Sequence, residues 1–181
     1  MKNLLWIVLL ALALPTLAFA IKPVYFRNTG GTLSGTSAGL SLTGSELVTV
    51  TGLDALHGLG LVTGDLGNMS FSTGGLTSGS LQTGGAFSGG GTFTISGNGV
   101  GGIPKGTIFT GSFVGPVAWR MITLANGTHA YSLSGSLTGT WYNGATGSGA
   151  TVQLTINTGK NLFDGSVELF SGDVSLNGPT P

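Results

Sequence analysis

The chain has 181 residues, with six Lys and Arg against six Asp and Glu, 35 glycines and no cysteine. That balance offers no basic surface to neutralise phosphates, which excludes nucleic acid as a partner, and no polybasic stretch for anionic lipid. The missing thiol excludes a disulfide scaffold, a cysteine nucleophile and a thiolate metal site.

The N-terminus reads as a leader. Lys2 supplies positive charge, Leu4 to Leu14 is an unbroken apolar run, Pro15 breaks it, and Ala18-Phe19-Ala20 has the small-x-small pattern that signal peptidase accepts. The run is roughly half of the ~20 apolar residues a membrane span needs. Residues 1–20 are therefore expected to form a signal peptide helix that is cleaved after Ala20. The remainder, residues 21–181, is expected to be a single secreted or extracytoplasmic domain with no stable membrane span. It carries five basic residues against six acidic ones, none of them clustered.

Glycine abundance suggests a flexible linker, but the other residues alternate with a period of two, the signature of strands. Leu40 and Leu42 open the pattern. Leu53 to His57 is the one plausible helical turn, ended by Gly58. Met69 and Phe71 alternate again. From Gly85 to Gly97, Phe87, Phe93 and Ile95 share one face and Ser88, Thr92, Thr94 and Ser96 the other. Gly101 to Pro104 reads as a loop. Asn126-Gly127 lies between two apolar runs and suits a tight type I′ hairpin turn. A two-residue turn there sets Leu124 opposite His129, Ile122 opposite Tyr131 and Arg120 opposite Leu133, and puts Trp119 and Met121 on the hydroxyl face. A single bulge would swap those assignments.

The clearest strand is Tyr131 to Asn143. Tyr131, Leu133, Leu137 and Trp141 alternate with Ser132, Ser134, Ser136, Thr138 and Thr140. Val152, Leu154 and Ile156 continue the design. Asn98-Gly99, Asn143-Gly144 and Asp164-Gly165 are further turns, and a parity break predicts a bulge between Leu169 and Gly172. Glycines on the apolar face leave room for bulky side chains from neighbouring strands. The whole reads as an all-β fold: a single antiparallel β-sandwich or up-and-down β-barrel of about ten strands.

Chemistry-bearing motifs are few. Gly35-Thr36-Ser37-Ala38-Gly39 matches a nucleophile elbow, but a strand follows where the elbow needs a helix. Gly97 to Gly102 matches G-x-G-x-x-G, but Pro104 and another β segment follow where a dinucleotide site needs a helix N-terminus. Asp54 and His57 could pair on one helical turn. His129 reads as a strand-end residue. Asp164, Glu168 and Asp173 are near in sequence, but Glu168 and Asp173 have opposite parity unless the expected bulge realigns them. Two separated histidines and scattered acids make a poor metal site, so no catalytic residue, metal or cofactor is expected.

Leu137-Thr138-Gly139-Thr140-Trp141-Tyr142-Asn143 resembles the first strand of the avidin and streptavidin family, in which this Asn helps bind biotin's ureido oxygen. The resemblance implies Asn143, with Ser148, as ligand contacts. It covers seven residues; in that family the strand opens the barrel, and the family's later pocket tryptophans have no counterparts here. We read it as a convergent amphipathic strand.

The charge-poor hydroxyl face remains. The expectation is an exported, non-catalytic β protein with a structural or adhesive role at the cell surface or in the extracellular matrix. The alternatives are a ligand-binding barrel or sandwich for a neutral glycan or small molecule, with Trp119, Trp141, Tyr142 and Asn143 as contacts, and an outer-membrane barrel with its apolar face towards lipid. Expected partners are neutral polysaccharide or cell-surface components. Ordered Thr rows for ice are sparse, at Thr49/Thr51 and Thr92/Thr94.

Overall fold

The computed structural model describes residues 22–56 and 58–178. The expected leader and His57, and with His57 its pairing to Asp54, lie outside the described residues. Among the described residues, twelve strands join one sheet: β1 (Pro23–Thr29), β2 (Thr32–Thr36), β3 (Gly39–Thr51), β4 (Leu61–Ser72), β5 (Leu76–Ser80), β6 (Gly84–Phe87), β7 (Gly90–Asn98), β8 (Lys105–Thr123), β9 (His129–Trp141), β10 (Thr146–Gly159), β11 (Ser166–Glu168) and β12 (Ser171–Asn177). The helical turn expected near Leu53 is a single 3-10 turn, Asp54–Leu56.

The sheet closes. Its order runs β1-β12-β10-β9-β8-β7-β4-β3, and β3 pairs back onto β1, every pairing antiparallel. Eight strands thus form a barrel, each bonded to its neighbours in chain order. The remaining four are inserted in its connections, so the barrel alternative holds and the sandwich does not. Closure leaves these eight strands no free edge.

Binary patterning explains why the sheet curls. On β9, Tyr131, Leu133, Leu137 and Trp141 are buried, and the Ser and Thr residues between them face outward. Val24 and Phe26, Met69 and Phe71, Phe93 and Ile95, Val152 and Ile156, and Val174 and Leu176 are likewise buried on their strands, and Leu40 packs beside Phe163. Burying each large side chain contributes about 1.5–3 kcal/mol. Aromatic rings fill the barrel from wall to wall: Phe26 lies 6.2 Å from Trp141, Trp141 5.3 Å from Phe109, Phe109 6.4 Å from Phe93, and Phe71 5.7 Å from Phe113.

Glycine supplies the space for them. Gly111, Gly139 and Gly147 are in register across β8, β9 and β10. A Cβ on Gly139 would sit 2.7 Å from Phe109 Cζ, and one on Gly147 2.8 Å from Phe109 Cε2. Both distances are too short for packed carbons, so the Phe109 ring occupies volume that side chains at these positions would need.

Two long strands run past the barrel. The second half of β3 pairs with β1, its first half with β2. The first half of β8 pairs with β7, its second half with β6. The overhangs, with β2, β5, β6, β11 and the loop after β10, make a side lobe. Its core is a second ring cluster: Trp119 stacks on Tyr131 at 4.9 Å, and Phe163 meets both, at 5.4 Å and 6.1 Å.

The β8–β9 hairpin corrects the expected register. Thr123 pairs with His129, and Leu124 to Thr128 form a longer loop closed by Leu124 N–H to Thr128 O at 2.8 Å, with Gly127 at φ 77°. Trp119 therefore faces Leu133 and Met121 faces Tyr131. Trp119 is 1% exposed, not on the hydroxyl face, while Ile122 and Leu124 are the exposed residues. A bulge interrupts β8 itself: Val114 pairs with Ser136 and Ala118 with Ser134, leaving two extra residues on β8. Pro116, which has no N–H to give, sits in it. An even insertion preserves parity, so Phe113 and Trp119 both point inward.

The irregularity expected between Leu169 and Gly172 is a strand break. Leu169 is buried and donates its N–H to Gly31 O at 2.9 Å, whereas Phe170 turns out and is 79% exposed.

Candidate functional site

Of the four residues nominated from sequence, two are core. Trp119 donates Nε1–H to Leu81 O at 2.8 Å, and Trp141 donates its own to Asn177 O at 3.2 Å. Neither ring is available as a surface platform. Tyr142 is 40% exposed. Asn143 accepts the Ala145 N–H at 3.0 Å and shapes the β9–β10 turn with Gly144 at φ 83°. The structure does not bring the four together. Ser148, implied with Asn143 by the resemblance, is exposed on β10.

The other motifs resolve into turns. Gly35 to Gly39 is the β2–β3 hairpin, where Thr36 Oγ1 accepts the Ala38 N–H at 3.1 Å. Gly97 to Gly102 leaves β7 through a turn in which Asn98 Oδ1 accepts the Val100 N–H at 3.0 Å. His129 Nδ1 lies 3.2 Å from Thr123 Oγ1 at the strand end. The structure does not join the three neighbouring acids: two are spent separately and Glu168 is exposed on β11. Asp164 caps its own turn at Ser166 N, 3.4 Å away, and Asp173 binds Arg27. No group of three metal-ligating side chains occurs among the described residues.

The feature that sequence reasoning missed is on the outer face of β12, β1 and β3. Alternation turns Val24, Phe26 and Asn28 into the barrel and Tyr25, Arg27 and Thr29 out. Registers then lay out two rows across the sheet. Tyr25 stands between Ser175 and Thr51, and Arg27 between Asp173 and Thr49. Tyr25 is 52% exposed. Arg27 Nε donates to Asp173 Oδ1 at 2.9 Å.

Three surface grooves meet along this line. One of about 460 Å³ lies on the β3 side of Tyr25, towards Leu61 and Thr63. One of about 230 Å³ lies on its β12 side, towards Gln153 and Ser175. The largest, about 670 Å³, continues from Arg27 to Glu168 and Phe170. Thr29 Oγ1 donates to Phe170 O at 2.9 Å and holds that end. From Tyr25 to Thr29 the strand rises about 14 Å.

Beneath the groove lies the β1–β3 seam of the barrel. The β1–β3 register shifts between Arg27 and Asn28. Asn28, fully buried, donates Nδ2–H to Ser45 Oγ at 2.7 Å, and Ser45 Oγ donates to Thr29 O at 3.1 Å. Asn28 Oδ1 has no hydrogen-bond partner among the described residues. Such an orphaned acceptor costs about 1–3 kcal/mol.

Period two places Tyr25 and Arg27 on one side of β1, and that much is readable from the sequence. Asp173 joins them only through the β1–β12 pairing across the chain's two ends. Comparison with known protein families, curated proteins and solved structures gives no match for this chain.

Proposed function

We propose that this chain is exported and acts, without catalysis, through the outer surface of its barrel, in a structural or adhesive role at the cell surface or in the extracellular matrix. The observation that carries the reading is the division of faces. The interior is occupied by Phe26, Phe93, Phe109, Phe113 and Trp141 packed ring against ring, so the contacts that remain for a partner are outside. The outside is rich in hydroxyls and poor in charge. The same division speaks against the outer-membrane reading, which requires apolar side chains towards lipid and polar ones inside.

The leader supports export. Its charged start, short apolar run and Ala18-Phe19-Ala20 end are the features a signal peptidase reads. Expression of the full chain with a C-terminal tag in a Gram-negative host tests both parts. The expected product is extracytoplasmic, begins at Ile21 and sediments with cell envelopes. A product that keeps Met1 and stays in the cytoplasm overturns export. An exported product that never associates with envelopes or matrix overturns the adhesive role.

A further inference from the structure

We propose that the outer face of β12, β1 and β3 is a binding site for a neutral polysaccharide chain, with Tyr25 as stacking platform and the Arg27–Asp173 pair as hydrogen-bonding anchor. This rests on the exported, surface-acting reading and names the partner class of that surface.

The ring comes first. Tyr25 is half-exposed, is flanked in register by Ser175 and Thr51, and forms a crest with a groove on either side. A sugar ring presents a flat patch of C–H groups, and an aromatic face receives such a patch while the rim hydroxyls stay free to hydrogen-bond.

The anchor stands in the next row. Arg27 spends Nε on Asp173 Oδ1, which sets the two side chains next to each other. The remaining guanidinium N–H groups are donors and Asp173 Oδ2 is an acceptor. A donor fork beside a carboxylate oxygen matches a pair of neighbouring hydroxyls, each of which both gives and accepts. Thr49, Thr51 and Ser175 extend the supply of hydroxyls on both sides.

Charge and length narrow the class. Arg27 is neutralised by Asp173, and Glu168 adds a further negative charge to the same line of grooves. That excess repels sulfated, phosphorylated or uronic polymers and leaves a neutral one. A second exposed ring belongs to Phe170, whose backbone carbonyl is held by Thr29, a residue about 14 Å along β1 from Tyr25. Two rings with an anchor between them suit several consecutive sugar units rather than a single one.

The test is affinity electrophoresis of the full chain, exported by its host, in native gels cast with dextran, a soluble β-glucan, galactomannan or, as the anionic counterpart, alginate. At least one neutral polymer is expected to retard migration and alginate is not. Tyr25→Ala is expected to weaken retardation by about tenfold or more, while Tyr25→Phe, which keeps the ring, preserves it. Arg27→Met is expected to weaken it as well, and Tyr142→Ala, on the β9–β10 turn, to leave it unchanged. Near-ultraviolet circular dichroism establishes that each variant is folded. Failure of every neutral polymer, equal retardation by alginate, or an unaffected Tyr25→Ala overturns the site. If wild-type protein still sediments with envelopes in that event, the groove is wrong and the surface-acting reading stands. A concentration-dependent doubling of mass that Tyr25→Ala abolishes assigns the face to a second copy of the chain and also overturns the proposal.

Discussion

The barrel and the lobe beside it bury aromatic rings equally well but enclose them differently. In the barrel, the ladder that starts at β1 returns to β1 through β3, so main-chain bonds alone surround Phe26, Phe93, Phe109 and Trp141. In the lobe, β5 and β11 each have one ladder partner. Side chains complete the enclosure. The Tyr131 hydroxyl donates to Gln82 O at 2.7 Å in the β5–β6 turn and accepts the Phe163 N–H at 3.0 Å from the loop after β10. Trp119 ties Leu81 in the same way. A closed ladder is held by its main-chain bonds, with one buried polar side-chain pair, Asn28 and Ser45, at the β1–β3 register shift. An open one gains definition from a few buried hydroxyl and indole groups, each of which is costly to leave unpaired.

This difference sets how each region should fail. The largest effect is expected from Gly139→Val, whose Cβ meets the Thr110 carbonyl oxygen and lies 2.7 Å from Phe109 Cζ. The strand cannot retreat without opening the barrel, and the clash is with the β8 backbone as well as with Phe109, so the loss should exceed about 5 kcal/mol. Urea unfolding should show one early transition for the whole molecule. Next come Trp141→Ala and Trp119→Ala, each costing about 3–5 kcal/mol in the core it leaves. Hydrogen exchange should separate them. Trp141→Ala is expected to lower protection everywhere, and Trp119→Ala to lower it in β5, β6 and the loop after β10 while barrel strands keep theirs. Equal loss of protection in both variants would show that barrel and lobe unfold as one unit.

Tyr131→Phe is a smaller step. It keeps the ring and removes the hydroxyl shared by Gln82 and Phe163, at about 1–3 kcal/mol. Limited proteolysis should then cut within residues 80–84 or 160–165 before any barrel strand. The smallest effect belongs to the surface. Arg27→Met breaks a pair whose side chains are 61% and 59% exposed, and the stability lost should stay within about 1 kcal/mol. A melting temperature that falls as far as for Tyr131→Phe would mean that the pair holds the seam rather than serving a ligand.

Alternation alone determined much of this protein. Strand faces from Leu40 to Leu176, the inward set on β9, the turns at Asn98, Asn143 and Asp164, and the parity break beside Phe170 all derive from a period of two and local turn chemistry. Those are properties of neighbouring residues. Three things needed the tertiary structure. The face of Trp119 depended on one residue of register in the β8–β9 loop, and Asn126-Gly127 is compatible with more than one loop length. The choice between barrel and sandwich depended on whether β1 found β12 as well as β3, a pairing between distant segments that no local pattern encodes. The outer groove depended on the same closure, because Tyr25, Arg27 and Asp173 are assembled from the two ends of the domain only when the sheet meets itself.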